Sequence, residues 1–155
     1  MIQRIQTIYL LLAALLLSSM LFLPVVTLGG DGDILLVNGF GSIIRYVDGS
    51  KETLSTPVTV PCLLIATALL LFVTLWLYRN RRLQIRLTLL STGLTLCYGI
   101  LIGCYAWMVT GDYSLLQPTI GIGAAALPLT VLCECLAVFN IRKDEKLVRS
   151  TDRLR

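Results

Sequence analysis

Hydrophobic residues in this chain fall into four long blocks, at 7–28, 58–78, 83–109 and 120–139. Each reaches the roughly 20 residues that an α-helix needs to cross the hydrocarbon core of a bilayer. Helices and closed barrels are the structures that satisfy every backbone polar group inside lipid. The pattern therefore predicts an all-α membrane protein. Residues 1–155 form one domain, a four-transmembrane-helix bundle with a small β-hairpin in the first outer loop and a helical cytoplasmic tail. The first block follows a short basic start at Arg4, but it is longer than the roughly 7–15 apolar residues of a signal peptide and no clean cleavage site follows it. It reads as a retained first helix.

Between the first two blocks the pattern changes. Residues 29–57 alternate β-favouring runs with Asn38-Gly39 and Asp48-Gly49 turn signals. This predicts the hairpin, extended at most to a three-stranded meander ending near Leu54. An isolated hairpin is marginal in water, so it should pack over the outer helix ends and against the short loop at 110–119. It reads as a cap. Phe40 and Tyr46 stand where a partner or the lipid interface can use them.

Composition supports a lipid solvent, since 56% of residues are hydrophobic and 14% charged, against roughly a quarter charged in soluble domains. Charge then orients the blocks. Arg4, Arg79, Arg81, Arg82, Arg86, Arg142, Lys143, Lys146, Arg149, Arg153 and Arg155 lie on one side, with only Arg45 and Lys51 on the other. Cytoplasmic loops carry the lysine and arginine excess, so both termini are expected in the cytoplasm and 29–57 outside. The basic side faces anionic headgroups and needs no nucleic-acid partner, although acidic lipid or ribosomal RNA at the surface would suit it.

Few polar groups fall inside the blocks. Glu134 is the one acidic residue there, and an ionised carboxylate at the bilayer centre costs about 2.5–3.5 kcal/mol on insertion scales. Counted back from Phe139, it lies about 7 Å inside the cytoplasmic end at 1.5 Å per residue. Arg86, counted from Arg82, reaches a comparable depth, so an intramembrane Glu134–Arg86 ion pair is expected. Ser91, Thr92 and Thr95 are expected to bond their own helix carbonyls. Gly99 and Gly103, and the run from Gly121 and Gly123 to Ala126, predict close helix approach without identifying a homo-oligomer. Pro128 should kink the fourth helix.

All five cysteines, Cys62, Cys97, Cys104, Cys133 and Cys135, fall in the apolar blocks, and the chain has no histidine. The cysteines read as small packing residues; a redox pair of Cys62 with Cys104 stays open. No metal or cofactor is implied. Without histidine, a nucleophile with a base, or a phosphate-binding loop, an enzyme is not expected.

The charged segment 140–155 leaves the fourth block without a glycine or proline break and should continue as a helix. Leu147, Val148, Thr151 and Leu154 form a narrow apolar stripe with Arg149 and Arg153 beside it. Taken with the start Met1-Ile2-Gln3-Arg4-Ile5-Gln6-Thr7-Ile8-Tyr9-Leu10, this tail gives the chain its resemblance. It resembles, along its whole length and most specifically at the two ends, an uncharacterised bacterial family of four-span inner-membrane proteins, a domain of unknown function. The resemblance carries no activity or cofactor. It implies that both termini belong to a working surface.

The leading expectation is thus a non-enzymatic accessory or assembly subunit of the bacterial inner membrane. It would dock a membrane or cytoplasmic protein through Leu147, Val148, Arg149, Thr151, Arg153 and Leu154. The alternative is a small transporter or lipid-binding protein using Glu134 and Arg86, and an intramembrane thiol oxidoreductase is a third reading.

Overall fold

A computed structural model describes residues 3–30, 33–46, 48, 50–54, 57–77, 80–112 and 117–152, with backbone alone at 3, 4, 30, 33, 54 and 146–152. Its helices are α1 (Gln3–Ser19), α2 (Thr59–Trp76), α3 (Arg81–Asp112) and α4 (Ile122–Asp152). Its strands are β1 (Pro24–Gly30), β2 (Asp33–Asn38), β3 (Ser42–Arg45), β4 (Lys51–Leu54) and β5 (Gln117–Ile120). The strands form one antiparallel sheet in the order β4-β3-β2-β1-β5.

This corrects the expected fold class. The protein is not an all-α bundle with a small hairpin but four helices with a five-stranded sheet, and three helices rather than four are long and apolar enough to cross a membrane. Those three are Thr59–Trp76, Arg81–Asp112 and Ile122–Glu145 within α4. The first block divides into 17 residues of helix and then β1. The division has a local cause. Ser18 and Ser19 bond back to the carbonyls of Ala14 and Leu16 at 2.8 and 2.7 Å. Met20 and Leu21 then tighten the turn with bonds to the carbonyls of Leu17 and Ser18, and Pro24 keeps Leu23 out of the helical region. Val25, Val26 and Thr27 are β-branched and continue as strand.

β1 sits between β2 and β5, and β5 comes from the loop between α3 and α4. Thr27 and Thr119 meet across this seam with hydroxyl oxygens 2.9 Å apart. Gly121 and Gly123 are needed where α4 leaves the sheet. A Cβ on Gly121 would lie 2.3 Å from the Pro24 carbonyl oxygen, and one on Gly123 would lie 2.8 Å from it. These glycines therefore admit strand backbone, whereas the sequence suggested helix-to-helix approach.

The helices form a closed ring in which α1 packs on α2 and α4, and α3 packs on the same two. The ends of α1 and α3 and the starts of α2 and α4 meet the sheet. Leu28, Leu35, Val37 and Ile44 face the bundle and join Leu17, Met20, Leu64, Tyr98 and Ile102 in one core. At the opposite, basal end Arg82 pairs with Glu145 at 3.6 Å, and the Gln6 amide donates to the Asp144 carboxylate.

The outer surface of the ring is apolar, and at most a third of each spanning window is buried. α1 shares that belt although it is short, with Ile8, Leu11, Leu12 and Leu15 exposed. Trp76 at the basal end of α2 and Trp107 near the sheet are 82% and 85% exposed. Indole rings favour the two membrane interfaces. From Arg86 to Trp107 α3 rises about 31 Å at 1.5 Å per residue, close to the roughly 30 Å hydrocarbon layer.

Candidate polar site inside the bundle

α3 is built inside out relative to a helix in water. Its buried residues are Gln84, Thr88, Ser91, Thr95, Tyr98, Ile102, Tyr105, Ala106 and Val109, a stripe at three- and four-residue spacing. Six of these are polar. The column runs from the basal end, where the Gln84 amide donates to the Thr74 carbonyl at 3.4 Å, to the sheet. There the Tyr105 and Ser42 hydroxyls lie 2.7 Å apart. Ile102 is the apolar step between the two tyrosines. Gln84 to Tyr105 covers about 31 Å of helix rise, so polar side chains follow the whole hydrocarbon depth.

Glu134 projects into this column from α4. Its residue has no exposed surface, like Thr130 one turn above and Ala137 below. Carboxylate Oε1 lies 3.1 Å from Ser91 Oγ and 3.3 Å from Thr95 Oγ1. Oε2 has no hydrogen-bond partner among the described residues, and neither has the buried Tyr98 hydroxyl. A buried polar oxygen left without a partner costs free energy comparable to a lost hydrogen bond. Such groups are retained chiefly where a site uses them.

The expected ion pair does not form. Arg86 is exposed, and it is Arg82, one turn earlier, that finds a carboxylate, in Glu145. Helix geometry explains this. Arg86 stands two residues from both Gln84 and Thr88, about 200° around the helix from the inward stripe. Matching depth therefore put the two residues at one level without putting them on one face. The depth of Glu134 also changes. It lies twelve residues below the start of α4 and eight above Arg142, or about 18 and 12 Å. That is near the middle of the apolar layer. Counting from Phe139 misplaced it because α4 continues unbroken and its buried stripe runs on through Ile141 to Asp144.

Ser91, Thr92 and Thr95 do bond helix carbonyls, of Thr88, Thr88 and Ser91, at 2.8–2.9 Å. Ser91 and Thr95 reach the carboxylate as well. Sequence reasoning missed Gln84, Thr88, Tyr98 and Tyr105, though their spacing is readable in a helix whose other faces are mostly leucine, isoleucine and glycine. It also missed that Gln6 and Asp144, both buried, tie the two ends of the chain together.

Beside the column an open apolar groove of about 630 Å³ lies between α3 and α4, lined by Leu96, Gly99, Ile100, Leu127, Pro128 and Val131, with Thr95 in its wall. Pro128 lacks the N–H of an ordinary helix residue and lies within α4. The five cysteines are free, with Cys62, Cys97, Cys104 and Cys135 exposed and Cys133 half-buried, so Cys62 and Cys104 are not paired. Among the described residues no three metal-ligating side chains come together.

The docking stripe lies largely outside this description. The backbone of Leu147, Val148, Arg149 and Thr151 is helical but their side chains are beyond the described residues, and Arg153 and Leu154 lie outside them altogether.

Over residues 2–154 the chain matches the family described as Domain of unknown function (DUF4293), and it belongs to that family. No curated protein matches it.

Proposed function

We propose that this chain is a non-enzymatic protein of the bacterial cytoplasmic membrane, with both termini inside, and that it works as a small transporter. The observation that carries this reading is the buried polar stripe of α3 with Glu134 beside it at mid-depth. Interior polar groups in membrane proteins mark solute and ion paths. The apolar groove beside Thr95 lies next to the column on its lipid side, which also suits an amphipathic or lipid-like substrate. The orientation rests on charge, since Arg81, Arg82, Arg86, Arg142 and Lys143 stand at the basal end and Arg45 and Lys51 at the sheet.

The test is electrical. Protein reconstituted on a solid-supported membrane is exposed by rapid exchange to a panel of small polar and amphipathic solutes. A capacitive current absent from protein-free membranes, and lost in Glu134→Gln, is expected. If no solute in a broad panel evokes current from folded protein, this reading fails.

A second reading, an accessory subunit docking a partner through its basic tail, is favoured by one observation. α4 remains helical to Asp152, about 12 Å beyond Asp144, where the Gln6 bond ties it to α1. Scrambling 144–155 at constant composition should then preserve insertion and abolish partner recovery from mild detergent. Unchanged recovery of every partner would reduce the tail to an anchor.

A further inference from the structure

Glu134 is fully buried near the middle of the apolar layer, and an ionised carboxylate there would keep one oxygen without a hydrogen-bond partner among the described residues. A hydroxyl supplies one O–H. Ser91 Oγ faces two acceptors, the Thr88 carbonyl at 2.8 Å and Glu134 Oε1 at 3.1 Å. Thr95 Oγ1 also faces two, the Ser91 carbonyl at 2.9 Å and the same Oε1 at 3.3 Å. Each of these two hydroxyl hydrogens is therefore shared between a helix carbonyl and the carboxylate, and in both cases the carbonyl is nearer. With each hydroxyl donating to its carbonyl, Oε1 faces two oxygen lone pairs with no hydrogen between them. A hydrogen on the carboxyl removes the buried charge, and Glu134 can then donate to a hydroxyl oxygen that is arranged to accept.

Among the described residues no lysine or arginine side chain pairs with the carboxylate. Arg82 pairs with Glu145 at the basal end, and Arg86 is on the outer face. We infer that Glu134, Ser91 and Thr95 form a proton-binding site, in which Glu134 is held as the neutral carboxylic acid and its hydrogen is the site's ligand. Releasing it breaks the carboxyl O–H bond and leaves a carboxylate, and the proton passes to water or a solute admitted to the column. The same bond re-forms on uptake. Tyr98, one turn above Thr95 and with a buried, unpartnered hydroxyl, is the next polar group towards the sheet. That this proton is a coupling ion rests on the transport reading above; the proton itself rests on the burial of Glu134 without a counter-charge among the described residues.

Infrared spectroscopy of the reconstituted full chain tests the two separately. The sequence has three glutamates, Glu52, Glu134 and Glu145, and only Glu134 lies within the apolar layer. Carbon-13 labelling of glutamate therefore needs no substitution at the site. A protonated-carboxyl carbonyl band at neutral pH that shifts with the label, and shifts again in heavy water, is expected. Its loss in Glu134→Gln assigns it, with Glu134→Asp as a second variant if the first does not fold. Absence of any label-sensitive protonated-carboxyl band overturns the inference, as does a carboxylate band that responds to sodium or potassium. A band without solute-evoked current would leave the proton site standing and refute the transport reading. Current without the band would do the reverse.

Discussion

α1 and α3 present similar faces to lipid and unlike faces to the bundle interior that they share. Outside, α1 shows Leu11, Leu12 and Leu15, and α3 shows Leu89, Leu90, Leu96 and Ile100. Inside, α1 buries Leu10, Ala13, Ala14 and Leu17, with one polar residue, Gln6, at its basal end, whereas α3 buries two threonines, a serine, a glutamine and two tyrosines. The outer faces answer to the solvent, which is the same for both. Only the inner faces differ, so there one helix is specified for packing and the other carries the polar groups on which the transport proposal rests. In water the reasoning would run the other way, because there the outer face varies with function and the core is uniformly apolar.

The largest expected effect is therefore on stability and comes from α1. Leu17→Ala empties a fully buried position in the shared core and should cost about 2–5 kcal/mol, read as a shift in reversible unfolding in mixed micelles. Activity per folded molecule should not change. Thr95→Val, on α3, should move stability by less than about 1 kcal/mol, because the threonine bonds a carbonyl that its own helix already satisfies. It should nevertheless reduce solute-evoked current. If Leu17→Ala is the mild change for stability and Thr95→Val the severe one, the division of labour between the helices is wrong.

Gln6 is the exception on α1, and a smaller effect is expected from it. Its amide donates to Asp144, and the other carboxylate oxygen of Asp144 has no partner among the described residues. Gln6→Leu removes the donor and leaves a buried carboxylate unserved, at a cost of about 1–3 kcal/mol. The damage should be local. Hydrogen exchange should rise at the base of α1 and in α4 beyond Ile141 while amides beside Ser91 stay protected; uniform loss of protection would assign Gln6 to the global core instead.

How far this contrast could be read in advance depends on the length of chain each feature needs. α2, α3 and α4 were legible because more than 18 apolar residues in a row admit one structure in lipid. The boundary after Ser19 was not, since residues 20–28 are apolar as helix or as strand and hydropathy does not separate the two. Pro24 and the β-branched residues after it held the only local signal. β5 was illegible for another reason. Gln117–Ile120 is four residues long and contains Pro118, and it becomes a strand only by pairing with β1, about ninety residues earlier. Within the site, Glu134, Ser91 and Thr95 could be named from sequence, but their association and the exclusion of Arg86 depended on helix phase. Phase was available in the spacing of Gln84, Thr88, Ser91 and Thr95, whereas depth counting had discarded it.

The finest test of the contrast is energetic coupling across the α3–α4 seam. Depth alone would join Glu134 to Arg86, and phase joins it to Thr95. Double-mutant cycles separate the two, because residues without shared partners add within about 0.3–0.5 kcal/mol while residues in one hydrogen-bond network couple by about 0.5–3 kcal/mol. The cycle of Glu134→Leu with Arg86→Leu should therefore be additive within error, and neither single change should rescue the other. That of Glu134→Leu with Thr95→Val should couple by about 0.5–1 kcal/mol, at the low end because intramembrane hydrogen bonds average about 0.6 kcal/mol. Both cycles use the same glutamate and the same unfolding assay, so an error in the micelle reference state cancels between them. Coupling to Arg86 that exceeds coupling to Thr95 would return the carboxylate to the basal ion pair and remove the polar column's central group.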